Sequence, residues 1–147
     1  MEMIDSLIRK TAAVTISYAD TNVYINGEPK PVSDKNTHHY CVTHKKDLVL
    51  VKSNLFGKNG KNDTERILWF YFFDKNLVKV EFRYIVNDKI EVDIHYYYNQ
   101  NSLIKLTRES GKGRYSKIVR NQKKNNLLVA AGLLDKFSTT IYKRIHW

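Results

Sequence analysis

The sequence predicts an α+β fold, an antiparallel β-meander sheet packed against one or two helices. Three observations carry that expectation. From residue 38 onward the chain reads as strand after strand, separated by short polar turns. Through 77–86 and 89–98, apolar residues recur at every second position. Residues 2–12 and 123–137 instead place apolar side chains at helical spacing. The 147 residues suit a single domain, 1–147. A hydrophobic fraction of 42% and only 2 prolines exclude a collagenous, Pro-rich or disordered chain. Cys41 is the 1 cysteine, so no intrachain disulfide framework exists. The longest apolar run, 67–73, is far short of the roughly 20 residues a membrane-spanning helix needs, so no membrane span is expected.

In chain order, Ile4, Leu7, Ile8 and Thr11 make 2–12 a short amphipathic helix, with Glu2 and Asp5 at its positive end. Short strands follow at 14–18 and 22–25, then turn residues including Asn26-Gly27. Strands are expected at 38–44 and 47–55, and a polar loop at 56–65. Segment 66–73, RILWFYFF, is apolar on both faces and reads as a central strand. In 77–86, Val78, Val80, Phe82 and Tyr84 point one way; Lys79, Glu81 and Arg83 point the other. Asn87-Asp88 is a hairpin turn into 89–98, where Ile90, Val92, Ile94, Tyr96 and Tyr98 share a face. Segment 103–108 follows, and 114–120 reads as one more strand. Residues 123–137 form the second helix, with Gly132 marking either a weak point or close packing on the sheet. The tail 139–147 alternates weakly, as a last strand would.

The chain repeats itself. FYFFDKN-LVKV (70–80) aligns with HYYYNQNSLIKL (95–106) at one gap, each copy an aromatic strand, a polar turn, and a strand with Leu, an aliphatic residue and Lys. The physical unit is a β-hairpin. With LVLVKSNLFGKNGK before it, this pattern resembles a group of small, exported bacterial proteins with two tandem hairpins. Their layout is similar to that of β-lactamase-inhibitory-protein-like domains, in which a curved sheet binds a partner. The resemblance implies a periplasmic or exported location and a protein-binding or inhibitory role. The first residues carry acids and no apolar signal core, which leaves the cytoplasm open as well.

The sequence shows no G-x-S-x-G, H-E-x-x-H, phosphate-loop or dinucleotide fingerprint, so catalytic residues, cofactors and metals are not expected. His38, His39, Cys41 and His44 form a cluster of metal-ligand types. On a strand, however, His38 and His44 share one face while His39 and Cys41 share the other. The first binding expectation is a non-enzymatic protein-binding module acting through an open, aromatic sheet face with Tyr71, His95 and Tyr97. Exposed Tyr offers contact area at low entropy cost. The second follows from charge. Residues 1–99 hold 14 Lys/Arg and 13 Asp/Glu, whereas 100–147 hold 11 Lys/Arg and only Glu109 and Asp135 as acids. Nearly all of the +10 net charge thus lies in the last third. Lys105, Arg108, Lys112, Arg114, Lys117, Arg120, Lys123 and Lys124 are the residues that would hold nucleic acid or an acidic polymer.

Overall fold

The computed structural model describes residues 15–18, 21–25, 36–43, 45–110 and 115–145. The helix expected at 2–12 lies outside them. Eight strands run side by side in chain order: β1 (Thr15–Tyr18), β2 (Thr21–Ile25), β3 (Thr37–Val42), β4 (Leu48–Asn59), β5 (Asn62–Phe73), β6 (Asn76–Val86), β7 (Lys89–Asn99) and β8 (Ser102–Ser110). Every neighbouring pair is antiparallel except β2 and β3, which are parallel. One helix, α1 (Ser116–Lys136), follows and continues through a π turn, Phe137–Ile141, and a 3-10 turn, Tyr142–Arg144.

The sheet is two-faced because alternation is the rule of a strand. Phe70, Val80, Phe82, Ile94 and Tyr96 point to one side and are wholly buried there. On that side they join Val119, Ala130, Leu133, Phe137, Ile141 and Ile145 in one core. Two hydrogen bonds pin α1 to the strands. The Tyr96 hydroxyl donates to the Val119 carbonyl at 3.0 Å, and the Asn126 amide donates to the Tyr98 hydroxyl at 3.0 Å. The other side holds a smaller cluster of Tyr24, Cys41, Leu50 and Tyr71. Strand 66–73 therefore packs on both faces, Leu68, Phe70 and Phe72 toward α1 and Tyr71 away from it.

Five expectations change, the first being Ile90, which is 46% exposed and leaves the face of Val92 where the β6–β7 register shifts between Tyr84 and Ile85. The polar stretch 56–65 is the two arms of a hairpin turning at Gly60-Lys61, with Gly60 at φ +63°. Its side chains are largely exposed on both faces, so no apolar alternation signals the strand. Residues 115–120 are not a strand, because α1 begins at Ser116 and Val119 joins Asn126 and Ala130 on its buried face. Residues 139–145 are not a strand either. Phe137, Ile141 and Ile145, four residues apart, face the core as a helical stripe would. Val78 leaves the face of Val80, because the β5–β6 register shifts between Tyr71 and Phe72.

The repeat is closer than its alignment suggested. Phe72 pairs with Leu77 and Tyr71 with Lys79; in the second copy Tyr98 pairs with Leu103 and Tyr97 with Lys105. The two hairpins superpose without a gap. Each inserts one extra residue, Val78 or Ile104, at the same place in its outgoing strand, a β-bulge that accentuates local twist.

Candidate functional site

Two surfaces carry the chemistry-bearing residues. The first is the sheet face turned away from α1. Strand register places Tyr71, Lys79, Tyr97 and Lys105 in one row across β5 to β8. Beside it runs a second row, His39, Lys52, Trp69, Glu81 and His95. Lys79 is only 3% exposed. Its ammonium lies 5.6 Å from the Tyr71 ring centre and 5.2 Å from that of Tyr97, and it meets the Glu81 carboxylate at 3.0 Å. Ring quadrupoles and a carboxylate together replace the water this cation has lost. The same motif in the second repeat places Lys105 5.9 Å from the Tyr97 ring, but there the lysine stays exposed at the sheet edge.

In the second row the Trp69 ring lies between Lys52 at 5.4 Å and Arg83 at 5.1 Å. Arg83 also binds Asp93 at 3.2 Å, and His95 approaches the other Asp93 oxygen at 3.4 Å. His39 is buried, and its Nδ1 lies 3.0 Å from the Tyr24 hydroxyl. Desolvation, and then the positive charges of Lys52 and His38, lower the His39 pKa to about 4. His38 points to the opposite face, with Nδ1 2.8 Å from the Ser53 hydroxyl, and burial lowers its pKa too. The alternation that separated these histidines in the sequence does so in the fold. Among the described residues no group of His, Cys, Asp or Glu could hold a metal; His44 lies outside them.

Of the three residues expected to form an aromatic contact surface, Tyr71 is 6% and Tyr97 8% exposed. They are structural walls around Lys79 rather than free contact area. His95 is half-buried against Asp93.

The second surface is the solvent side of α1. Lys117, Arg120 and Lys124 fall at i, i+3 and i+7, and Lys123 stands beside them; all four are exposed. A strand reading of 114–120 had separated them, and the helix gathers them. Arg108, also exposed, lies on β8. It pairs across to Ile94 on the α1 side of the sheet, and its charge reaches the Tyr96 hydroxyl that binds Val119. None of these five cations meets a carboxylate among the described residues, and the first turn of α1 holds no acid. Lys105 is on the opposite face of β8 and so is not part of this set. Lys112 and Arg114 lie outside the described residues.

A groove of about 700 Å³ also opens between the sheet turns and the end of α1. Lys45, Lys46, Lys75, Asp47 and Asp135 rim it over a floor of Leu48, Leu134 and Phe137. Sequence reading missed it because its walls come from turns far apart in the chain. Asn126 was missed as well; a polar residue in a helical stripe gives no sign that it will be wholly buried and tie α1 to Tyr98. Among the described residues, no helix is long and apolar enough to cross a membrane. Comparison with protein-family models, curated proteins and solved structures finds no match for the chain.

Proposed function

We propose that this protein is a non-enzymatic binding module whose partner is an anionic polymer, held along the solvent side of α1. One observation carries the reading. Lys117, Arg120, Lys123 and Lys124 share the exposed side of α1, exposed Arg108 lies on the sheet face turned toward that helix, and none of the five has a carboxylate partner among the described residues. Unpaired cations gathered on one surface make a positive field, and release of the partner's counterions drives its binding. The rest of the molecule supports this division. Residues 1–99 balance their charges almost completely, and Lys79, Arg83 and Lys52 are spent on internal rings and carboxylates.

A protein partner on the opposite sheet face would find Tyr71 and Tyr97 buried and Trp69, Arg83 and His95 only partly exposed. The exposed cations favour α1. The test is retention on immobilised heparin. The wild-type chain is expected to elute well above physiological salt, and the variant Lys117→Gln/Arg120→Gln/Lys123→Gln at markedly lower salt with unchanged melting. Equal elution of the two would remove α1 as the binding surface.

A further inference from the structure

We propose that α1 is also the contact helix of a homodimer, crossing the α1 of a second copy of this chain in antiparallel sense near residue 130. The run 127–134, LLVAAGLL, is apolar on every side. Leu127, Ala130, Leu133 and Leu134 pack on the sheet. Leu128, 75% exposed, and Val129, 41% exposed, face solvent together with Ala131 and Gly132. A helix that is apolar all round is normally covered all round.

Gly132 sharpens the point. Glycine is costly in mid-helix, and a Cβ built at Gly132 meets nothing within 4 Å. Packing among the described residues gives no reason for it, so of the two readings of Gly132 the close approach to the sheet does not hold. A helix crossing on the outer side gives one.

The pattern selects a second copy as the occupant. Leu128 and Gly132 are one turn apart, so a two-fold axis near residue 130 seats each Leu128 against the partner's Gly132 in one operation. The same operation brings Lys124 toward the partner's Asp135. Asp135 is one of two acids after residue 99, is exposed, and makes no ion pair among the described residues. The antiparallel sense also carries Lys117, Arg120 and Lys123 of the two copies toward opposite ends of the crossing, which limits their repulsion. This dimer stands on different residues from the polymer-binding reading, with only Lys124 at the seam.

Sedimentation equilibrium of the full chain, from about one to a few hundred micromolar, tests it. A dimer is expected, and Leu128→Glu is expected to be monomeric with an unchanged circular dichroism spectrum. Lys124→Glu and Asp135→Lys should each raise the dissociation constant about tenfold, the scale of two symmetric surface ion pairs. The double charge swap should restore it. A wild-type chain monomeric throughout the range overturns the proposal. So does a dimer that survives Leu128→Glu, or a charge swap no better than its single variants.

Discussion

At the scale of single residues, the interior of this sheet is unusual in burying a lysine. Lys79 is stabilised by what surrounds it, two tyrosine rings and Glu81, rather than by its own hydration. Lys79→Ala would leave the Glu81 carboxylate without this partner and open a gap between the rings. We expect a loss of about 3 kcal/mol in urea unfolding, the lower end of the range for breaking a buried pair because Glu81 keeps some solvent contact. A change below about 0.5 kcal/mol would contradict the structural role given to Lys79. His39 supplies a pH dependence. Its folded pKa of about 4 lies below the 6.5 of an unfolded histidine, so the unfolded chain takes up a proton that the folded one refuses. That contribution to stability is complete above pH 6.5 and is lost as the pH falls toward 4. The loss across this window amounts to as much as about 3 kcal/mol. Urea midpoints at pH 7 and pH 4.5 should differ less in His39→Gln than in the wild type; identical differences would remove His39 as the cause.

At the scale of elements, the hairpins were legible and their exposed extensions were not. Alternation in 77–86 and 89–98 revealed strands because one face had to be apolar. The arms beyond Leu55 and before Ile67 bury little on either face, so their ladder is invisible to hydropathy. Turn conformation has its own cost. Asp74-Lys75, Asn87-Asp88 and Gln100-Asn101 all adopt positive φ at both positions, the mirror-image turn that suits the twist of a hairpin. Asn and Asp tolerate that region, but lysine does not do so readily. Lys75→Gly, at φ +62°, is therefore expected to stabilise the protein by about 0.5–1 kcal/mol, read as a rise in melting temperature. No rise, or a fall, would show that the Lys75 side chain contributes more than its backbone strain removes. For α1, the stripe from Leu127 to Leu134 was readable, but its first two turns were not. Arg114 to Arg120 mixes cations with Tyr115, Ile118 and Val119, residue types common in strands, and only the placement of Val119 and Asn126 against Tyr96 and Tyr98 shows that the chain from Ser116 is helical.

At the scale of the whole molecule, charge and structure divide along the chain. Residues 1–99 nearly balance their charges, while Lys117, Arg120, Lys123 and Lys124 of α1 and Arg108 of β8 meet no carboxylate among the described residues. The charge asymmetry was visible in composition; the surface it forms was not. Reading 114–120 as a strand dispersed Lys117 and Arg120, whereas the alternation of strand 103–108 already set Lys105 and Arg108, three residues apart, on opposite faces of β8. The tyrosines misled for a related reason. Their density suggested an exposed recognition face, yet in the fold Tyr71 and Tyr97 enclose Lys79 and Tyr84, Tyr96 and Tyr98 lie in the core under α1. The most direct measurement of the central claim is the affinity for a labelled duplex oligonucleotide across a salt series, by fluorescence anisotropy. If the α1 surface neutralises about four phosphates, log K should fall with log salt at a slope of about −4, and Lys117→Gln/Arg120→Gln/Lys123→Gln should reduce that slope by about 3. A slope near zero, or one that the triple variant leaves unchanged, would contradict it.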